Sequence, residues 1–288
     1  MKKRIFVVGS LNIDFSIQSS RFPHIGETIV GQGFSIDTGG KGANQAVACA
    51  RAGVVITMIG AVGNDVFGPK LIDTLKNEGI DIAFIDIKET TTGCAIINVA
   101  QGHNKIVIDH GANFAIEERQ IALGLEHANQ GDILITQFEI PRPIIAFALK
   151  LAKSKGMTTI VNPAPACYSI GEMHEDIDFI IPNETEYEYL LTREKSNLLS
   201  IKHLIITLGA EGVNYIYNGV SKTISGLKVA AIDTTAAGDT FIGYFAAMMA
   251  NDCDIITSLE IANYAASISV TRRGAMTSIP YLKEVKAV

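Results

Sequence analysis

Short apolar runs, each followed by a segment with helical patterning, recur along this chain, and that alternation admits few architectures. Ile5–Val8 is continuously apolar, as a strand covered on both faces must be. Residues 42–52 are rich in alanine, lack proline and end at Gly53, which suits a helix closed by a left-handed glycine. A strand over 54–60 and a helix over 67–78 follow. Further strands are predicted at 133–136, 158–161, 179–181 and 204–207, with helices near 117–128, 143–155 and 184–191. Two more helices, Ala237–Ala250 and 258–270, fill the last quarter. Repeated βα units predict an α/β fold, a three-layer, mostly parallel sheet with helices on both faces.

Two segments break the rhythm. Residues 13–36 and 91–109 hold short alternating stretches without helical periodicity, and 94–99 and 105–108 flank a hairpin signal at Gly102-His103-Asn104. They read as a small β-sheet lid inserted into an α/β body that spans 1–288 as one unit. A chain of 288 residues, 48% hydrophobic and 19% charged, can bury such a core unaided. Its net charge of -6 argues against a nucleic-acid partner, whose affinity comes from clustered Lys and Arg. Cys49, Cys94, Cys167 and Cys253 are too scattered for a zinc or redox motif and read as small buried apolar residues. The apolar run after Lys2-Lys3-Arg4 stops at Gly9-Ser10, short of the roughly 7–15 residues of a signal peptide. Nothing reaches the roughly 20 apolar residues of a membrane helix, so a cytoplasmic location with no membrane partner is expected.

Five segments carry chemistry. Asp233-Thr-Thr-Ala-Ala-Gly-Asp239 precedes an apolar helix, so small residues and Gly238 let backbone N–H groups converge where a helix starts. That end is partly positive and suits a phosphoryl group, and Asp239 beside it could take a proton from an attacking hydroxyl. Alone, the same stretch reads equally as a plain N-cap turn. Gly39-Gly40-Lys41-Gly42-Ala43-Asn44-Gln45 allows close backbone approach to a ligand, and Asn44 offers donor and acceptor to sugar hydroxyls. It lacks the spacing of a Walker A loop. Asp14 follows the first strand, where open α/β sheets bind ligands. Asn183 and Glu186 share a helix face and suit either Mg²⁺ through water or a capping box. Thr207-Leu-Gly-Ala-Glu-Gly212 could follow a nucleotide. No G-x-G-x-x-G follows the first strand, which excludes a dinucleotide oxidoreductase of the usual type.

Taken in order, these segments resemble the ribokinase-like (pfkB) carbohydrate kinase family. The resemblance runs from Val8-Gly-Ser-Leu-Asn-Ile-Asp14 to Arg273-Gly-Ala275. It includes Gly26-Glu-Thr28, Gly60-Ala-Val-Gly-Asn-Asp65, Thr92-Gly93, Gly111-Ala-Asn113 and Asn162-Pro-Ala-Pro165. It implies an ATP-dependent kinase acting on a primary hydroxyl, the 5-hydroxyl of ribose foremost. Deoxyribose, fructose, a keto-deoxy sugar acid or a nucleoside are the related substrates, and a sugar-binding regulator without catalysis is the reading from another class. By resemblance Asp239 is the base, and Ala236, Ala237 and Gly238 form the anion hole. Asn12, Asp14, Gly40, Lys41, Gly42, Asn44 and Glu139 are the sugar contacts. Asn183, Thr207, Gly209, Gly212, Gly238 and Asn263 are the nucleotide contacts. Glu186 holds Mg²⁺ through water, and Asp233, Thr235, Ser269, Arg272, Gly274 and Ser278 surround K⁺, several through carbonyls. The family also implies a homodimer formed through the lid. One departure stands out: the family carries an extra helix between Glu186 and Thr207, and 190–203 is too short for it, which should leave one sheet face less covered.

Overall fold

In the computed structural model, which describes residues 2–285, the predicted strands and three others pair into one nine-stranded sheet. In chain order the strands of the molecule are β1 (Ile5–Val8), β2 (Asn12–Gln18), β3 (Gln32–Gly39), β4 (Ile56–Gly63), β5 (Asp81–Lys88), β6 (Gly93–Ala100) and β7 (His103–Asp109). After them come β8 (Ile133–Gln137), β9 (Thr158–Asn162), β10 (Phe179–Ile180), β11 (His203–Thr207), β12 (Gly212–Tyr217) and β13 (Val220–Ser225). The helices are α1 (Lys41–Arg51), α2 (Phe67–Asn77), α3 (Glu118–Gly124), α4 (Arg142–Ser154), α5 (Glu184–Ser200), α6 (Ala237–Ala250), α7 (Ile255–Ser269) and α8 (Leu282–Val285). The large sheet runs β13-β12-β11-β10-β9-β8-β1-β4-β5, parallel except at β12 and β13.

Successive residues of β1 point to opposite faces. Ile5 and Val7 enter a core shared with α1, α2, α6 and α7, while Phe6 and Val8 enter one shared with α3, α4 and α5. All four are at most 2% exposed, which is why the run is apolar without alternation. Each such side chain contributes about 1.5–3 kcal/mol by leaving water. Helix α6 is apolar almost all round because it is wedged between the sheet, α1 and α7; a Cβ at Gly243 would meet the Ala48 Cβ at 2.4 Å and the Gln45 carbonyl oxygen at 2.8 Å. Glycine there lets α6 lie directly on α1.

The segments at 13–36 and 91–109 do form a separate four-stranded sheet, ordered β3-β2-β6-β7. Its hairpin turn sits at Gln101-Gly102, both with positive φ, one residue earlier than the sequence suggests. Three expectations change. Residues 190–203 do not leave the sheet face less covered: α5 continues to Ser200 with a kink at Glu194 and buries Leu190 and Leu198. The strands β5, β12 and β13 were not anticipated. Of the four cysteines, only Cys49 is buried, and Cys167 is exposed because it lies in the loop after Pro165. No helix of the described residues is long and apolar enough to cross a membrane.

Candidate active site

The strand order reverses direction beside β1: the chain builds outward to β4 and β5 on one side, then to β8 and beyond on the other. Such a switch point leaves a crevice at the carboxyl ends of the strands. Ser10, Asn12 and Glu139 emerge there, and the starts of α1 and α6 face it. Three adjoining cavities of about 570, 190 and 360 Å³ run through the crevice, and Thr234 lines all three.

The largest cavity lies between the four-stranded sheet, which contributes Asp14, Ser16 and Asp37, and the loops carrying Asp233–Thr235 and Arg273–Ala275. The Asp14 carboxylate accepts a side-chain or backbone hydrogen bond from no described residue. Burial, then repulsion from Glu139, Asp37 and Asp239, pushes its pKa up to about 7, against the pull of Lys41. Asn12 is oriented by Asn113, whose Nδ2 donates to Asn12 Oδ1 at 2.7 Å. Glu139 accepts from the Ser10 hydroxyl and, at 3.1 Å, from the Lys41 backbone N–H, so one of its oxygens fixes the start of α1. Gly40 and Gly42 serve the same approach. A Cβ on Gly40, which has φ +90°, would lie 2.7 Å from the Asn12 nitrogen, and one on Gly42 would lie 2.6 Å from the Ser10 nitrogen. Neither glycine lines any of these three cavities. Their part is to let the loop after β1 and the start of α1 touch.

The middle cavity is built on the first turn of α6. Its N-cap, Ala236, is held at φ +58°, and the N–H groups of Gly238 and Asp239 donate to no described residue. A Cβ on Gly238 would meet nothing within 4 Å, so glycine there keeps the cavity open and relieves no crowding. Unpaired donors at the positive end of a 14-residue helix make an anion site. Asp239 is 7% exposed and accepts from Asn44 Nδ2 and Gln45 Nε2, each at 2.9 Å. Asn44 Oδ1 is buried without a partner and is free to meet a ligand donor. Lys41 lines this cavity and not the larger one. Burial works against its ammonium, yet Asp239, Glu139, Glu186 and Asp14 together raise its pKa.

Asn183 and Glu186 form the reciprocal capping box. Asn183 Oδ1 accepts from the Glu186 N–H at 2.8 Å, and Glu186 Oε2 accepts from the Asn183 N–H at 2.9 Å. Glu186 still lines the middle cavity, and burial raises its pKa against the Asn183 N–H and Lys41. One carboxylate oxygen is spent on the helix and the other accepts from no described residue, so the capping box leaves part of the carboxylate free.

The third cavity is mostly apolar. Leu227, Val229, Phe241 and Val270 line it with Thr207, Gly209, Gly212, Gly238 and Asn263. Asn263 also donates to the Ser225 carbonyl at 2.9 Å, fixing the end of β13.

The residues assigned to a monovalent cation are only partly free. Asp233 accepts from the Thr235 N–H and hydroxyl and from the Gly274 N–H. Burial opposes its charge, but these donors outweigh it and lower its pKa. The Ser269 and Ser278 hydroxyls bond to the carbonyls of Ala266 and Ala275, and the Arg272 guanidinium pairs with Glu284. The carbonyl oxygens of Asp233, Thr235, Arg272 and Gly274 accept from no described residue. Uncharged oxygens of that kind suit a weakly hydrated cation, so the loops fit K⁺ through backbone and not through these side chains.

Ser10, Gln45, Asn113, Gln137 and Asn162 were not singled out as site residues, although they hold Asn12, Glu139 and Asp239. The signal that could have found them is polarity inside apolar elements, since Ser10, Gln45, Asn113 and Gln137 are fully buried.

The model of the pfkB family of carbohydrate kinases matches residues 2–282. A ribokinase of Haemophilus influenzae is 39% identical over 99% of this chain and 97% of its own. The ribokinase structure of Thermotoga maritima superposes with a TM-score of 0.90 at 34% identity, covering 99% of this chain and 98% of that one. An Arabidopsis thaliana ribokinase complexed with ribose and ATP gives 0.88 at 29% identity, with 99% and 98% covered.

Proposed function

The chain belongs to the pfkB family of carbohydrate kinases, and on that premise we propose that it transfers the γ-phosphoryl group of ATP to the 5-hydroxyl of ribose. The observation that carries this reading is the start of α6. An unengaged pair of N–H groups and the Asp239 carboxylate stand together between a polar cleft and an apolar cavity. The polar cleft takes the sugar, with Asp14 on its wall and Asn12, Asn44 and Glu139 behind it as further hydrogen-bonding groups. The apolar cavity takes the adenine, and Thr207, Gly209 and Gly212 follow its ribose and phosphates.

Asp239 accepts the proton of the hydroxyl. The freed oxygen attacks the γ-phosphorus, the bond to the β–γ bridging oxygen breaks, and ADP leaves with that oxygen. The Ala236–Asp239 turn and Lys41 stabilise the charge on the group in transfer, where most of the catalysis of phosphoryl transfer resides. Mg²⁺ held through water by Glu186 beside Asn183 would neutralise the phosphates, and K⁺ among the 233–235 and 272–274 carbonyls would hold the loop before the anion hole. Ser16, Gln18, Ile97 and Val99 of the small sheet close the sugar cleft from above, so this sheet acts as a lid that excludes water. A cytoplasmic location, where ATP is available as donor, accords with this reading.

The test is ADP release by the purified protein with ATP, Mg²⁺ and either K⁺ or Na⁺, across ribose, deoxyribose, fructose and adenosine. Ribose should turn over fastest, and faster in K⁺. Asp239→Asn should keep ribose binding and lose at least about 100-fold in kcat, the lower range for general base catalysis. No turnover on any sugar, with ribose still bound, would replace the kinase reading with a sugar-binding regulator.

A further inference from the structure

Beneath Asp239 lies a chain of buried amides that the reaction itself does not touch. Gln137, at the end of β8, donates from Nε2 to Gln45 Oε1 at 2.7 Å. Gln45, on α1, donates from Nε2 to Asp239 Oδ1 at 2.9 Å and to Asn162 Oδ1 at 3.2 Å. Asn162, at the end of β9, donates in turn to the Ile181 carbonyl at 3.0 Å. Both glutamines are fully buried, so water cannot replace these partners.

The direction of the chain matters. An amide can present either its NH₂ or its carbonyl, and a network of partners decides which. Because Gln137 donates to the Gln45 carbonyl oxygen, Gln45 must present its NH₂ to Asp239. Were Gln45 reversed, its carbonyl would face the Asp239 carboxylate and two acceptors would meet. Gln137 is held by packing, since a Cβ on Gly9 would lie 2.0 Å from its unpartnered Oε1, and its NH₂ faces Gln45 because only a donor suits the Gln45 carbonyl oxygen. Close contact of α1 and α6 at Gly243 brings Gln45 within reach of Asp239 at all.

We propose that Gln45 is a positioning residue for the base, and that Gln137 locks Gln45 in the orientation that donates to Asp239. This rests on the kinase reading and deepens it. Asn44, which also holds Asp239, faces the sugar and must share itself with it, whereas Gln45 faces only protein. It therefore keeps one Asp239 oxygen fixed throughout the cycle while the other takes the proton. The charged groups around Asp239 are Lys41, Asp14 and Glu186, and none of them touches the Gln45 amide.

The experiment compares wild type with Gln45→Met and Gln137→Glu, reading kcat, KM and the pH profile of kcat for ribose and ATP, with ribose binding by calorimetry. Methionine keeps the volume and the helix propensity of Gln45 but cannot donate. In Gln45→Met, kcat should fall about 100-fold, the cost of a misplaced catalytic group, with both KM values little changed. Its acid limb should move to higher pH, because the carboxylate has lost a donor. Gln137→Glu is isosteric and leaves Gln45 in place; its buried carboxyl donates to Gln45 while protonated, but once ionised it accepts from Gln45 and turns its carbonyl toward Asp239. Its kcat should fall steeply as that carboxyl ionises, a limb that wild type lacks, and it carries the test by itself if Gln45→Met does not fold. A folded Gln45→Met with normal kcat or the wild-type pH profile, or a folded Gln137→Glu with normal kcat across the pH range, overturns the proposal. Absence of turnover in wild type overturns it together with the kinase reading.

Discussion

Asp14 shows how a single side chain can be kept unsatisfied for a ligand. It has no donor in the described structure, and its pKa stands near 7 because burial and the carboxylates of Glu139, Asp37 and Asp239 disfavour its charge. A sugar with two hydroxyls to donate favours the charged form, so ribose affinity should rise by up to about tenfold from pH 6 to pH 8. Calorimetry across that range checks this, and Asp14→Asn should bind weakly with no such slope. Stability runs the other way. Between the ordinary value of 3.8 and about 7 the folded protein holds a proton that the unfolded chain releases, so the stability present below that window is lost as pH rises through it. Free of sugar at pH 8, Asp14→Asn should therefore be more stable than wild type, by about 1–2 kcal/mol after allowing for solvent at a partly exposed group. A lower melting temperature for the variant would refute the account. Asp14 and Asp239 were legible in the sequence because one follows the first strand and the other stands at a helix start after Gly238, whereas Glu139 came from the family resemblance alone. Gln45 and Gln137 were not. Gln45 sits one residue from Asn44 and Gln137 two from Glu139, and only the packing of α1 against α6 and β8 lines them up beneath Asp239.

The elements were legible in proportion to how completely they are buried. Strands β1, β4, β8, β9 and β11, covered on both faces, announce themselves as apolar runs. The edge strand β5 reads Asp-Ile-Ala-Phe-Ile-Asp-Ile-Lys and has the charges of a solvated margin, while β13 is exposed along most of its length. Neither has a pattern that separates it from loop. Helix α5 fails differently. After Leu191 its sequence is Thr-Arg-Glu-Lys-Ser-Asn, polar all round, and tertiary contacts alone make it helical. At the kink, Glu194 turns its carboxylate to the backbone N–H groups of Ile170 and Gly171, at 2.9 and 2.7 Å, which lets Leu198 reach the core. Replacing Glu194 by alanine leaves two N–H groups without their acceptor and should cost about 1–3 kcal/mol. Chemical denaturation would measure that loss. kcat should stay near wild type, because the capping box at Asn183 and Glu186 is two turns away. Unchanged stability would mean that the second half of α5 is held by Leu198 alone.

At the scale of the molecule, the two faces of the small sheet differ in chemistry. The face toward the crevice carries Asp14, Ser16 and Asp37. On the other face, Ile36, Phe15, Ile96 and Val107 stand opposite one another across β3, β2, β6 and β7. Near its base this row is anchored to the body: Phe15 packs edge-on against Phe67 of α2 at 5.4 Å, and Thr92 binds Asp65. Beyond the anchor the row is open. Phe34 is 61% exposed, Ile96 51% and Val107 71%, and the edges of β3 and β7 are unpaired among the described residues. An apolar sheet face with free edges is costly for a monomer and invites a second copy. A homodimer would use it, each lid covering the other, so the sheet that closes over one sugar would also be braced by its neighbour. Wild type should sediment as a dimer at micromolar concentration. Val107→Asp and Ile96→Asp each bury a carboxylate in that contact and should weaken it by at least about 2 kcal/mol, the threshold of an interface hot spot. Both lie on the face away from the sugar, so a folded monomer that still binds ribose is the expected product. A wild-type monomer would show instead that the row stays in water and that the lid closes without a brace.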